Sequence, residues 1–196
     1  MQNAECGMNS EIRNPQSEYM NLPNTLTLIR ILLIPVFVIL IIDKSFWWAL
    51  IVFALAGITD GIDGLIARIT RQRTEMGAYL DPIADKLLLS AGFITLAIIE
   101  MIPGWLAVIV ITRDMIILLG VSIMILTHSP PKIQPSLISK VTTSLQIATI
   151  ILVLMVDYGT FFKHLATTAI YGATFFTMLS GAHYIYIGTR MLNQKK

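Results

Sequence analysis

The sequence predicts an all-α integral membrane protein with six transmembrane helices and a metal site that faces the cytosol. Hydrophobic residues make up 55% of the 196 positions and charged residues only 13%, and the mean hydropathy of +0.73 is far above that of a soluble domain. A helix crosses about 30 Å of hydrocarbon with roughly 20 apolar residues. The stretches that approach this length are Leu26–Ile42, Phe46–Ile66, Leu80–Ile99, Trp105–Leu126, Val141–Val156 and Leu165–Gly188.

Residues 1–21 are polar and lack the apolar centre of a secretory signal. We therefore expect a cytosolic N-terminal tail over 1–21 and a single membrane domain over 22–196. Cys6 is the only cysteine, which excludes a disulfide framework and a thiolate metal site. The basic residues neither run together nor alternate with aromatic residues, so the sequence does not predict nucleic-acid binding.

The distribution of basic residues predicts the orientation, because cytosolic loops of membrane proteins carry an excess of lysine and arginine. Basic residues follow the second, fourth and sixth stretches, whereas the opposite connections carry only Lys44 and Lys163. Both termini are therefore expected in the cytosol, together with the end of the second span and the start of the third. The basic residues on that side are Arg68, Arg71, Arg73, Lys132, Lys140, Arg190, Lys195 and Lys196.

Four carboxylates lie at this junction of the second and third spans. At about 100° per residue, Asp60 and Asp63 share one stripe of the second helix with Gly64 and Ala67, and Asp81 and Asp85 lie one turn apart on the third. The connection is short, so the two helices are expected to be antiparallel neighbours whose acids face each other.

Acids grouped at membrane depth need compensation by positive charge. Mg²⁺ or Mn²⁺ suits ligation by carboxylates alone, and two such ions ~4 Å apart would hold a pyrophosphate. Gly64 and Ala67 have little bulk and would let a nucleotide approach the backbone. Arg68 has a forked donor suited to phosphate oxygens.

Two other interpretations of the carboxylates remain open. The acids could form buried salt bridges without chemistry, although buried ion pairs stabilise proteins poorly; their partners would be Arg30, Arg68, Lys86 and Arg113. An ion-coupled transporter would instead carry its carboxylates near the bilayer midplane between repeated halves. Neither that position nor an internal repeat is found in the sequence.

The spacing of these residues resembles the motif of the CDP-alcohol phosphatidyltransferases, and the resemblance extends from Leu22-Pro23-Asn24 to the last span. Every fixed position of the motif is filled, which makes the match highly specific. The motif reads Asp60, two residues, Asp63-Gly64, two residues, Ala67-Arg68, eight residues, Gly77, three residues, Asp81, three residues and Asp85.

The resemblance implies a six-helix enzyme, usually a homodimer, that transfers a phosphatidyl group from CDP-diacylglycerol to an alcohol and releases CMP. It implies two divalent ions on Asp60, Asp63, Asp81 and Asp85, with Asp85 also taking the proton of the acceptor hydroxyl. The residues expected against the CDP group are Asp60, Gly64, Ala67, Arg68 and Gly77. The expected location is the inner, cytoplasmic membrane, with the active site on the cytosolic side.

The acceptor is expected to be glycerol 3-phosphate, as in phosphatidylglycerophosphate synthases, with phosphatidylglycerol, as in cardiolipin synthases, as the alternative. Arg113 and Lys140 are the cations expected to bind it. Arg113 could instead be a structural partner of Asp114, and Lys140 an interfacial side chain. The chain departs from the synthase pattern because Val121-Ser122 and Thr142 stand where a second arginine and a second lysine are expected.

Two further groups of polar residues have structural interpretations. Trp47, Trp48 and Trp105 fall at predicted outer boundaries, where indole rings favour the membrane interface. Gln146 is expected either to line the cavity or to bond to a neighbouring helix.

Overall fold

A computed structural model describes the backbone of residues 22–70, 75–126 and 137–193, and the side chains of 29–59, 85–119 and 137–186. These ranges contain six α-helices, one short 3-10 turn at Val156–Tyr158 and no strand. The helices are α1 Leu22–Ile42, α2 Phe46–Thr70, α3 Glu75–Ile98, α4 Gly104–Leu126, α5 Leu137–Leu154 and α6 Thr160–Asn193. The predicted all-α class is confirmed, and the predicted tail over 1–21 lies outside the described residues.

Each predicted span coincides with one helix, but the helix ends differ from the ends of the apolar stretches. The largest difference is in α6, which has 34 residues and runs from Thr160 to Asn193 rather than from Leu165 to Gly188. Similarly, α5 begins at Leu137 rather than at Val141. The reason is that backbone hydrogen bonds continue through polar residues, whereas hydropathy detects only the apolar part of a helix.

Two helices end in the same tight reversal. Lys44 follows α1 with a φ of 55°, and the Ser45 N–H donates to the Leu40 carbonyl at 2.9 Å. Glu100 follows α3 with a φ of 61°, and the Met101 N–H donates to the Leu96 carbonyl at 3.0 Å. Both are Schellman caps in which a residue other than glycine adopts the left-handed conformation.

The helices pack in a closed ring. Their main contacts connect α1 with α3, α3 with α4, α4 with α6, α6 with α5, α5 with α2 and α2 with α1. In the half of the bundle whose side chains are described, α1 packs against both α2 and α3. The acids of α2 and α3 are predicted to face each other. Their side chains lie outside the described ones, except that of Asp85.

Among the described side chains, a buried apolar core joins α1, α2, α3 and α5. Phe37 of α1 stacks on Phe53 of α2 with ring centroids 5.3 Å apart, and Phe93 and Ile150 are fully buried beside them. A Cβ at Gly92 would lie 3.1 Å from Ile150 Cδ1 and 3.2 Å from Phe37 Cε1. The absence of a side chain at Gly92 therefore allows α1, α3 and α5 to come together.

Large apolar side chains also cover the outside of the bundle. Leu32, Ile98 and Val108 are 69%, 72% and 63% exposed. Among the residues searched, those with described side chains, one helix is long and apolar enough to cross a membrane, namely Leu137–Leu154 with a mean hydropathy of 1.8. A single helix of this kind is weak support for a membrane protein, so the six spans stay a prediction.

Candidate active site

The predicted metal-binding aspartates all lie on helical backbone. Asp60 and Asp63 are in the second half of α2, and Asp81 and Asp85 are in the first half of α3. Only the side chain of Asp85 is described, and it is half-buried. Among the described side chains no group of three or more His, Cys, Asp or Glu is placed to hold a metal ion, so the ligand set stays a prediction.

The predicted CDP-binding residues lie on the same two helices. Gly64, Ala67 and Arg68 are in the last two turns of α2, and Gly77 is in the first turn of α3. Helical backbone at these positions agrees with the stripe predicted for α2. The side chains themselves lie outside the described ones, so their contact with CDP stays a prediction.

Arg113, one of the two predicted acceptor-binding residues, lies at the centre of a buried polar cluster. It is 3% exposed and sits in the middle of α4. Its Nη1 donates to Asp114 Oδ1 at 2.7 Å, and its Nη2 donates to Ser139 Oγ of α5 at 2.7 Å. Its Nε and Nη2 donate to Ser180 Oγ of α6 at 3.3 and 2.9 Å. The guanidinium thus joins α4, α5 and α6.

Asp114 connects a second cation, Lys86, to this cluster. It is 3% exposed, and its Oδ1 accepts a hydrogen bond from Lys86 Nζ of α3 at 3.0 Å as well as the one from Arg113. Its Oδ2 is buried without a hydrogen-bond partner among the described residues. One carboxylate therefore stands between two cations, and the Lys86 side chain, 24% exposed, is the more accessible of the two.

The two predicted acceptor-binding residues, Arg113 and Lys140, both adjoin Ser139, the first by a hydrogen bond and the second as its neighbour in the chain. Lys140 is exposed near the start of α5 and directly follows Ser139, which accepts the hydrogen bond from Arg113. The described side chains therefore place Arg113 inside the bundle and Lys140 on its surface. Whether the two bind an acceptor together stays a prediction.

A polar seam continues from this cluster between α5 and α6. Gln146 is fully buried, and its Nε2 donates to Thr177 Oγ1 at 3.3 Å. Thr142 Oγ1 lies 3.1 Å from the Phe176 carbonyl, and Thr149 Oγ1 lies 3.3 Å from the Ala169 carbonyl. Of the two roles expected for Gln146, bonding to a neighbouring helix is the one observed.

Sequence reasoning missed the cluster as a unit. From the sequence, Lys86 and Asp114 are expected only as salt-bridge partners, and Ser139 and Ser180 have no expected role. The available signal was a charged pair, Arg113-Asp114, in the middle of an apolar span, since such charges face a partner or a cavity. The serines carried no comparable signal, because small hydroxyl residues are frequent between membrane helices.

The chain is similar to known proteins of one enzyme family. The family model for CDP-alcohol phosphatidyltransferase matches residues 20–179. A probable cardiolipin synthase (CMP-forming) of Drosophila melanogaster is 35% identical over 189 residues, which are 88% of this chain and 58% of that protein. A CDP-diacylglycerol–glycerol-3-phosphate 3-phosphatidyltransferase of Bacillus subtilis is 32% identical over 181 residues, 84% of this chain and 93% of that protein.

The human cardiolipin synthase (CMP-forming) is 33% identical over 181 residues, 84% of this chain and 60% of that protein. The chain thus spans less than two thirds of the length of the fly and human relatives and nearly the full length of the bacterial one. The family match includes the whole motif from Asp60 to Asp85 and also Arg113 and Lys140. The chain belongs to the CDP-alcohol phosphatidyltransferase family.

Proposed function

We propose that this protein is a metal-dependent membrane enzyme that transfers the phosphatidyl group of CDP-diacylglycerol to an alcohol and releases CMP. The observation that carries the proposal is the complete motif from Asp60 to Asp85, on two consecutive helices of a chain that matches the family over residues 20–179. The names of the fly, bacterial and human relatives support the same reaction class.

The reaction requires a base, and Asp85 is the residue proposed for this role. The acceptor oxygen forms a new bond to the phosphorus of the phosphatidyl group, the bond from that phosphorus to the CMP oxygen breaks, and its electron pair leaves with CMP. The hydroxyl proton passes to the Asp85 carboxylate. A positioned general base typically accelerates a reaction by about 10²- to 10⁴-fold.

Four carboxylates form a donor set that fits Mg²⁺ or Mn²⁺, because these hard cations prefer oxygen ligands. Asp60, Asp63, Asp81 and Asp85 would hold two such ions. When bound, the metal would neutralise the charge that develops on the reacting phosphate oxygens. Asp60, Gly64, Ala67, Arg68 and Gly77 would bind the CDP group beside it.

A bilayer is the environment that the distribution of polarity supports. The bundle encloses Arg113, Asp114 and Gln146, all at most 3% exposed, and carries exposed leucine, isoleucine, valine and phenylalanine outside. Exposed apolar surface of this extent marks contact with lipid or protein. We therefore propose a multi-pass protein of the inner, cytoplasmic membrane with both termini and the active site in the cytosol, and a homodimer as in the family.

Glycerol 3-phosphate is the first acceptor we propose. The bacterial relative named for this acceptor is matched over 93% of its length, so this chain contains the counterpart of nearly the whole of that protein. Lys140 is exposed at the start of α5 and available to an anionic acceptor.

Phosphatidylglycerol is the second acceptor, and the surroundings of Arg113 favour it. Four hydrogen bonds already direct the guanidinium to Asp114, Ser139 and Ser180, although a guanidinium has only five N–H donors. Beside these bonds to described residues, only one N–H donor of Arg113 therefore remains for the terminal phosphate of glycerol 3-phosphate. Phosphatidylglycerol carries a single diester charge and makes a smaller demand on these donors.

The test is an assay of the purified protein in detergent with CDP-diacylglycerol and Mn²⁺ or Mg²⁺, following CMP and lipid product. Either glycerol 3-phosphate or phosphatidylglycerol is supplied, and the acceptor that yields product identifies the reaction. Asp85→Asn should lower CMP release about 100-fold or more. Asp43→Asn, an exposed carboxylate at the opposite end of the bundle, is the matched control and should retain wild-type activity. Absence of CMP with every acceptor would refute the proposal.

A further inference from the structure

One buried carboxylate, that of Asp114, contacts cations from two helices. Its Oδ1 lies 2.7 Å from Arg113 Nη1 and 3.0 Å from Lys86 Nζ. Both Arg113 and Asp114 are 3% exposed. The cluster carries two positive charges and one negative charge inside the bundle.

Stability alone is a poor reason for such a cluster. Removing charges from water is costly, and apolar residues of similar volume often stabilise a fold as well or better. The Asp114 Oδ2 atom is buried without a hydrogen-bond partner among the described residues, which adds to the cost. A role in orienting the residues around it is the stronger explanation.

Two residues of the cluster are adjacent in the chain to proposed site residues, one to the proposed base and one to a proposed acceptor-binding residue. Lys86 directly follows Asp85, and Ser139, which is bonded to Arg113, directly precedes Lys140. Consecutive Cα atoms are 3.8 Å apart, so a bond that holds Lys86 also limits the position of the Asp85 backbone. About 100° separates the two side chains around α3, so Lys86 can bond to α4 while Asp85 occupies a different face of the helix.

We propose that Asp114 is a positioning residue for phosphatidyl transfer: it orients Arg113 toward the acceptor and, through Lys86, holds the Asp85 segment of α3 in register with α4. The proposal rests on the function proposed above. Asp114 itself touches no substrate in this scheme. It acts through the two cations that share its Oδ1 atom.

Loss of the Asp114 charge should therefore have two separate kinetic effects. In Asp114→Asn a neutral amide oxygen replaces the carboxylate and accepts a weaker hydrogen bond from Arg113, so the guanidinium is held less firmly and the KM for the acceptor should rise about 10-fold or more. Lys86 loses its ion pair with the same carboxylate. The Asp85 backbone is then less well held, so kcat should fall. The KM for CDP-diacylglycerol should stay within about twofold, since this substrate is bound by α2 and the first turns of α3.

The experiment compares Asp114→Asn, Asp114→Glu, Lys86→Met and the double variant Lys86→Met/Asp114→Asn with the wild type, in the full chain, with Asp43→Asn as control. Asp114→Glu should retain more of the acceptor affinity than Asp114→Asn, because it keeps the charge. Lys86→Met should reproduce the loss of kcat without the rise in acceptor KM. The double variant should be no slower than Asp114→Asn alone, because both changes break the same contact.

The KM for the acceptor decides between positioning and mere stabilisation. A smaller folded fraction lowers kcat and leaves both KM values unchanged, so an unchanged acceptor KM in Asp114→Asn would overturn the proposal, as would equal changes in both KM values. A wild-type protein that released no CMP would refute the proposed function itself. That outcome is distinguishable from an active wild type with an unaltered Asp114→Asn variant.

Discussion

Arg113 of α4 donates two hydrogen bonds to a single hydroxyl, that of Ser180 in α6, at 3.3 Å from Nε and 2.9 Å from Nη2. Ser180 is 1% exposed, so its hydroxyl is shielded from bulk solvent. The contact lies on the α4–α6 side of the helix ring and belongs to the cluster that includes Asp114. Ser180 therefore contributes to the stability of this part of the bundle.

Ser180→Ala should lower the free energy of unfolding by about 1–3 kcal/mol, because buried donors of Arg113 lose their acceptor. Ser144→Ala, at an exposed position of α5, is the control and should be neutral or slightly stabilising. Thermal or denaturant unfolding in detergent gives the measurement. Equal stability of the two variants would mean that Arg113 finds another acceptor.

Removal of divalent metal with EDTA should abolish CMP release, and Mn²⁺ or Mg²⁺ should restore it. Asp81→Asn should raise the metal concentration needed for half-maximal activity by about 10-fold or more, because it removes a proposed ligand. Asp157→Asn, at an exposed position in the 3-10 turn, should leave the metal dependence unchanged. An enzyme fully active in EDTA would contradict the metal assignment.

Glu100→Gly should raise the free energy of unfolding by about 0.5–1 kcal/mol. Glycine avoids the cost of a left-handed conformation, and the larger conformational entropy that glycine loses on folding offsets part of this gain. Glu100 has a φ of 61° and caps α3. Glu100→Ala keeps a Cβ and should bring no such gain, which makes it the control. A melting temperature that rises equally in both variants would point to the loss of the carboxylate charge instead.

Gly92→Leu should destabilise the bundle by about 1–3 kcal/mol or more, because added bulk in a packed core forces side chains and backbone to shift. Even a Cβ at Gly92 would lie 3.1 Å from Ile150 Cδ1. The same substitution at Gly57, where nothing lies within 4 Å, should be neutral or stabilising, since leucine favours a helix over glycine. Similar losses at both positions would refute the close packing of α1, α3 and α5.

The spacing of the motif predicted both the helices that carry the aspartates and the family. The positions of Asp60, Asp63, Asp81 and Asp85 on two successive helices follow from helix periodicity and a short connection, and their helical backbone is confirmed. Membership of the family follows from the same spacing and is also confirmed. The acceptor did not follow from the motif in the same way, because the cations proposed to bind it, Arg113 and Lys140, lie outside the motif and on different helices.

The sequence by itself determined the helical class, the approximate position of each helix that the structure describes and the family, because these depend on apolar runs and on fixed spacings between near neighbours. Only the tertiary structure decided that Arg113 bonds to Ser139 and Ser180, which lie 26 and 67 positions after it in the chain. It also decided that Lys86 and Arg113 share the Asp114 carboxylate. The physical reason is that a side chain's partners depend on how helices rotate and pack against each other, and no local pattern specifies that rotation.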